Sequence, residues 1–416
     1  MTTRLPLHLL LSLFLFAGAF SGSAQVLVSK STGLKAPIDL SGITPPTSDQ
    51  GRIFLRTLEN DLKRSGWFTL ARTGQGEFRL LGETDLDSRQ MNFSGQLFRT
   101  AEQRALLSKT FRGPVGNPQG LAHQVADEMV EAVTGRKGIA STTIALIGTS
   151  TGKKELFMIN ADGGDLRQNT SDRSISMDPN WLPDGSGLIY TSYLKKYPDL
   201  YKITLKTGVR ERISKYSAMN IGGAVSPDGR LAAVVLSGRD SKPGNPPLTN
   251  PELCILDLSS GKVTVLTRTK DANEASPSWS PDGQQIVYVS DQSGKPQLYL
   301  ISRNGGQPRR LTSRGTENTS PDWGPGGLIA YASRQGGRYG VHVIDPNTRE
   351  ITTPIQDGAE YDYDEPSWAP DGRHIAATRS QNYSSQVYIL DTMGDSPLAL
   401  TNHKGDWYSP AWSPGK

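Results

Sequence analysis

The sequence predicts a mainly β protein, a six-bladed β-propeller behind a small α/β domain, and three observations carry that reading. First, the phrase SPSWSPDGQQIVYVS (276–290) returns as SPDWGPGGLIAYAS (320–333) and as EPSWAPDGRHIAATRS from residue 365. Second, the turn prolines Pro183, Pro227, Pro281, Pro325, Pro370 and Pro414 follow one another at 44, 54, 44, 45 and 44 residues. A period near 44 with four strands per unit is the signature of a propeller. Third, the region before residue 141 has a different pattern, in which helical and strand-like segments alternate.

The chain opens on a targeting pattern. Arg4 precedes a largely apolar stretch from Leu5 to Phe20, followed by the small residues Ser21 to Ala24. This reads as a signal peptide over 1–24, with a mature start near Gln25. The stretch is short for a membrane span, and no later run of eighteen apolar residues occurs. No cysteine stands near the cleavage site to carry a lipid. Cys254 is the only cysteine, so no intramolecular disulfide can form, and ELCILDL reads as a buried strand around it.

Residues 25–140 make the expected N-terminal α/β domain. TSDQGRIFLRTLENDLKRSG has capping candidates at Thr47 to Asp49, apolar Leu55, Leu58 and Leu62, and Gly66 as a stop. WFTLA, EFRLLGET, MNFSGQLFRT and ALLSKTFRG read as short strands. NPQGLAHQVADEMVEAVTG closes the region as a helix, with Leu121, Val125, Met129 and Val133 four apart and Gly135 as its stop. Two helices on one sheet is the implied layering.

Residues 141–416 make the propeller. Proline presets the first corner of each turn, Gly283 supplies positive φ, and Asp282 satisfies turn amides with its own side chain. Trp181, Trp279, Trp323, Trp368 and Trp412 occupy equivalent positions, with Val225 in the second unit. Five copies of one residue argue for packing between neighbouring sheets. The longer spacing of 54 marks an inserted loop at SGRDSKPGNPPLTNP, 237–251. The last copy, SPAWSPGK, stops after one strand, and the first unit lacks that strand. The sixth blade is therefore expected to close by residues 406–413 pairing beside residues 143–148.

Composition narrows function little. Formal charge is +4; residues 25–140 hold 15 Lys/Arg against 12 Asp/Glu, and 141–416 hold 29 of each. Neither part is a basic nucleic-acid binder. GTSTG at 148–152 matches a nucleophile-elbow pattern, but a strand rather than a helix follows, which places Ser150 in a hairpin loop. EYDYDE (360–365) is the densest acidic cluster and lacks the spacing of a calcium loop. His8, His123, His342, His374 and His403 show no zinc spacing, and NADGGD and SRNGGQ are hairpin turns. No catalytic residue, metal site or cofactor is assigned.

The join EMVEAVTGRKGIASTTIALI (128–147) and the blade SWSPDGQQIVYVSDQSGKPQLYLISRNGGQPRRLT resemble the TolB family of the bacterial Tol-Pal system. The resemblance spans roughly residues 40–416. It implies a non-enzymatic periplasmic protein whose propeller mouth binds the peptidoglycan-associated lipoprotein, Pal. It further implies that the N-terminal region communicates with the inner-membrane Tol proteins, in a system that keeps the outer membrane intact and assists division. The implied mouth is built from loops just ahead of each Trp strand: Met219 and Asn220; Asn273, Glu274 and Ser276; Glu317, Asn318 and Thr319; Asp362, Asp364 and Glu365. Met219 stands where the family commonly has His, and Ser276 where it has Glu. The segment ahead of the first helix is shorter than usual. The alternative is an exported propeller enzyme or carbohydrate-binding protein using the same channel.

Overall fold

The structure, a computed structural model, describes residues 35–102, 104–241, 243–352 and 360–415. The expected signal peptide and its cleavage site lie outside the described residues.

The N-terminal domain runs β1 (Ala36–Ile43), α1 (Asp49–Arg64), β2 (Phe68–Leu70), β3 (Phe78–Leu86), β4 (Gln90–Arg99), β5 (Ala105–Pro114) and α2 (Pro118–Thr134). The capping signal expected for α1 acts as the sequence implied, and α2 is capped in the same way. Ser48 Oγ accepts the Gly51 N–H at 3.0 Å, and Asn117 Oδ1 accepts that of Gly120 at 2.9 Å. Gly135 ends α2 in the left-handed region at φ 69°. Phe54, Leu58 and Leu62 of α1 pack with Leu121, Val125 and Met129 of α2 over Phe78, Phe93 and Leu97 of the sheet.

Strand β1 is not among the expected elements. It lies in the sheet order β2-β1-β3-β4-β5, parallel to both of its neighbours. Its alternation is broken by a register shift between Asp39 and Gly42. Asp39 is buried although charged, because its carboxylate accepts the N–H groups of Ser41 and Gly74 at 2.8 and 2.7 Å. A polar residue serving as an internal cap reads in sequence as a loop.

The propeller has six four-stranded sheets. Blades 1 to 5 start from the inner strands Ser176–Trp181, Met219–Val225, Glu274–Trp279, Glu317–Trp323 and Asp362–Trp368. The sixth closes as expected: Trp407–Trp412 pairs antiparallel with Thr143–Gly148, in a register that sets Trp407 opposite Gly148 and Trp412 opposite Ile144. The long spacing is a widened hairpin in blade 2, between strands ending at Gly238 and starting at Leu248. In blade 3, Asp282 Oδ1 accepts the Ser280 hydroxyl at 2.5 Å and the Gln284 N–H at 3.0 Å, while Gly283 takes φ 66°.

A hydrogen bond to or from the residue one before the Trp position crosses each of the six seams beside the axis. Four use a side chain one residue before the Trp position to accept the next blade's backbone N–H. Asn180 serves Val225 (3.2 Å), Ser278 serves Trp323 (3.0 Å), Asp322 serves Trp368 (2.6 Å) and Ser367 serves Trp412 (2.9 Å). At the other two seams that position is alanine. There the indole donates instead, Trp279 Nε1 to the Ala224 carbonyl (2.8 Å) and Trp181 Nε1 to that of Ala411 (2.9 Å). An inner strand has no sheet neighbour on its axial side, so these bonds satisfy backbone groups that pairing leaves over.

The N-terminal domain docks on the face that carries the Pro-Asp-Gly turns. Trp67 is stacked under Arg373 (4.5 Å to the ring centroid) and near Arg136 (5.9 Å). Arg373 is buried and pairs with Asp391 (2.7 Å), and Lys35 pairs with Asp395 (2.7 Å). Arg64 donates to the Ala161 carbonyl at 3.0 Å, and His123 Nδ1 meets Asp61 Oδ2 at 2.7 Å. Among the described residues, none of that domain reaches the opposite mouth, where the inner strands begin.

Candidate partner-binding site

The mouth is set by a bulge repeated in every blade. Three residues before the Trp position the backbone turns left-handed: Asp178 (φ 51°), Gly222 (58°), Ser276 (46°), Ser320 (49°), Glu365 (52°) and Ser409 (45°). Inner-strand pairing shifts register at each, for example between Ala275 and Ser278. The following residue is Pro179, Pro277, Pro321, Pro366 or Pro410 in five blades and Gly223 in blade 2. A bulge leaves one residue out of the ladder, and proline has no N–H to lose there. Pro277 is thus not part of the turn that Pro281 opens; it marks the bulge.

These six bulges line an axial cavity of about 250 Å³. Asp178, Asp322 and Glu365 reach its wall, with Asp364 beside them. Burial pushes Asp322 up to about 6. Burial, and then the charge of Glu365, does the same for Asp178 and Asp364, each about 6. Glu365 is held by the Ser409 N–H (2.7 Å) and hydroxyl (2.9 Å) and by Thr378 (2.8 Å). The throat is polar and acidic. Ser150 lies exposed in the turn between the strands Thr143–Gly148 and Glu155–Asn160, away from that throat. His374 is committed to Asp371 at 2.6 Å, and His342 stacks on Tyr331.

The residues implied for the mouth divide into two groups. Most do not lie in loops: Met219, Glu274, Glu317 and Asp362 each open an inner strand, already paired with Ser237, Ser290, Arg334 and Ser380. Asn220, Glu274 and Asn318 are buried, at 0, 2 and 0% exposure, which removes them from any surface that a partner touches. The reason is positional. Five residues before the Trp position, every blade buries its side chain in the seam with the preceding blade: Ser176, Asn220, Glu274, Asn318, Tyr363 and Trp407. Asn220, for instance, spans Ser214, the Tyr216 backbone and the Pro198 carbonyl.

The second group stays at the surface. Asn273 and Ser276 are exposed; Met219, Glu317, Thr319, Asp362, Asp364 and Glu365 are half-buried. Asn273 is braced on Asp291, and Asp362 accepts from Arg338 (3.0 Å) and the Tyr339 N–H (2.8 Å). The Tyr339 hydroxyl donates to Glu317 and holds its carboxyl below the usual range. Aromatic groups rim this face. Tyr383 and Tyr197 are exposed at hairpin tips, and Arg379 stacks on Tyr361 and Tyr388. Asp178, Ser320, Asp322 and Ser409 belong to the throat and are absent from the expected set. Their signal was the repeated Asp/Ser/Glu-Pro-x-Trp phrase itself.

Residues 130–416 match the family model described as the TolB beta propeller domain. The Protein TolB homolog of Chlorobium luteolum is 30% identical over 334 residues, which covers 80% of this chain and 73% of the relative. The Tol-Pal system protein TolB of Bordetella pertussis is 27% identical over 319 residues, covering 77% of this chain and 70% of that protein. A shorter alignment with the homologue of Chlorobium chlorochromatii, 30% identical over 218 residues, spans 46% of that relative. The crystal structure of TolB from Acinetobacter baumannii superposes with a TM-score of 0.80 at 26% identity, over 93% of this chain and 98% of the other. Both domains and their order are shared, and this chain belongs to the TolB family.

Proposed function

We propose that this chain is the periplasmic, non-enzymatic binding component of a Tol-Pal system. In this reading the free propeller mouth docks the peptidoglycan-associated lipoprotein, Pal, and the N-terminal region communicates with the inner-membrane Tol proteins. Its cellular role is then to support outer-membrane integrity and division. The observation that carries the reading is the asymmetry of the propeller's two faces. One is covered by the N-terminal domain through Trp67 and Arg373, while the other presents Met219, Asn273, Ser276 and Glu317 around an open throat. Tyrosine and arginine on that rim are the residue types that dominate protein–protein hot spots. No helix among the described residues is long and apolar enough to cross a membrane.

The test is calorimetric titration of the chain lacking residues 1–24 with the soluble Pal domain of its own organism. Saturable 1:1 binding at micromolar concentration or tighter is expected. The absence of heat and of co-elution at that concentration would overturn the assignment of partner.

A further inference from the structure

We propose that Glu252 and Glu274 share a single proton, and that this proton locks the seam between blades 2 and 3 at the mouth. Thr267 Oγ1 lies 2.8 Å from Glu252 Oε2 and 3.4 Å from Glu274 Oε2. The same oxygen accepts the Leu253 N–H at 2.9 Å, so it has one proton to offer to two carboxylates. Glu252 gains the Thr269 N–H at 2.9 Å. Glu274 receives the Ser290 hydroxyl at 3.1 Å and meets Thr269 Oγ1 at 3.3 Å, a hydroxyl also 3.2 Å from the Ala272 carbonyl. Both carboxylates are buried, at 4 and 2% exposure, and neither has an ion-pair partner among the described residues.

The propeller supplies its own comparison. At the seam between blades 3 and 4, Thr312 donates to Gln297 Oε1 at 2.9 Å, and Asn318 Nδ2 donates to that same oxygen at 2.8 Å. Glu274 occupies the position of Asn318, five residues before the inner-strand Trp, and Glu252 that of Gln297. Where one seam is bridged by an amide N–H, the other offers two carboxyl groups. A bridge at that place requires a carboxyl O–H, because two buried like charges in one site cannot both ionise without strong repulsion. At the seam between blades 6 and 1, Glu155 accepts the Thr170 hydroxyl at 2.6 Å, and the position five before the Trp is the neutral Ser176.

The other groups around the pair are Cys254 on the strand of Glu252, Tyr288 on the strand of Ser290, and Arg268 on the connecting loop. Cys254 and Tyr288 are buried and neutral, while Arg268 is exposed. Burial, and then Glu252, pushes Glu274 up to about 7, in keeping with a proton retained through the acid range. Loss of that proton sets like charges across the seam and releases the segment 266–273 that Thr267 and Thr269 anchor. That segment carries Asn273 at the mouth. The lock is a property of the free chain and needs no partner.

The experiment compares the wild-type chain with Glu274→Gln and, separately, Glu252→Gln. Melting temperatures are taken from pH 5 to pH 8.5, with hydrogen exchange of segment 266–273 at pH 8. An amide in either position replaces the shared proton. Both variants are therefore expected to match wild type within a degree at pH 5 and to melt several degrees above it by pH 8. Segment 266–273 is expected to exchange about tenfold faster in wild type than in either variant, with segment 311–317 of the Gln297–Asn318 seam unchanged. A melting gap that does not depend on pH, or equal exchange in 266–273, would overturn the proposal. So would failure of both variants to fold, since a seam bridged by a shared proton accepts an amide on either side.

Discussion

Asp322 Oδ2 accepts the backbone N–H of Trp368 at 2.6 Å, joining blade 4 to blade 5 beside the axis. Its other oxygen meets the Ser278 hydroxyl of blade 3 at 3.4 Å, so one carboxyl ties three consecutive blades. The same carboxyl faces the throat where a partner is proposed to dock. Rigidity of the wheel and the chemistry of its mouth are therefore carried by the same few positions.

Burial raises Asp322 to about 6, above an unfolded value near 3.9. The folded state thus holds this proton more tightly than the unfolded chain. Its contribution to stability is fullest below about pH 4, declines as pH rises toward 6, and is level above that. Asp322→Asn keeps an acceptor for Trp368 and removes the ionisation. Its stability relative to wild type should rise between pH 4 and pH 6 by about 1–3 kcal/mol, measured by urea denaturation. Asp322→Ala also removes the ionisation but leaves the Trp368 N–H without an acceptor, so it should be about 1–3 kcal/mol less stable than Asp322→Asn at every pH.

Closure rests on Trp407 and Trp412. Trp407 is fully buried and meets Phe157 edge-on at 5.0 Å, and Trp412 Nε1 donates to Thr142 Oγ1 at 2.8 Å. Trp407→Ala should cost about 3–5 kcal/mol in chemical denaturation. Removing residues 406–416 strips Thr143–Gly148 of its partner strand and leaves an open sheet edge. That truncation should lower the melting temperature sharply and promote association, seen by light scattering.

The two domains are clamped through Arg373. Arg373→Ala leaves Asp391 buried without its cation and uncovers Trp67. A loss of about 3–5 kcal/mol is expected, the cost of breaking a buried pair from one side. The link at residues 135–142 should become open to trypsin at Arg136 and Lys137. Proteolysis at the wild-type rate would show that the clamp does not hold the domains together.

Blade number, closure and the positions of the large aromatics were legible because each is a local phrase repeated with a period. Trp279 and its equivalents announce the seams, and Pro281-Asp282-Gly283 announces the turn. What escaped was set by contacts distant in sequence. Strand β1 depends on Asp39 being capped by the Gly74 N–H, a residue 35 positions away. The mouth residues were harder still. The left-handed residue three before each Trp breaks the two-residue alternation, so simple counting does not tell which side chains face the seam. Glu274 and Ser276, two apart, go to opposite fates: one is buried between blades and the other is exposed at the throat.

The mouth, rather than the turn face, is proposed to read the partner. Ser276→Arg tests it most directly, because Glu365 already holds a long side chain in the same left-handed conformation at an equivalent bulge. Lys206→Glu, exposed on the opposite face, is the matched control. Calorimetric affinities for the Pal domain should fall at least tenfold for Ser276→Arg and stay within twofold of wild type for Lys206→Glu. Equal affinity for Ser276→Arg and wild type, or a loss confined to Lys206→Glu, would show that the partner does not bind at the mouth.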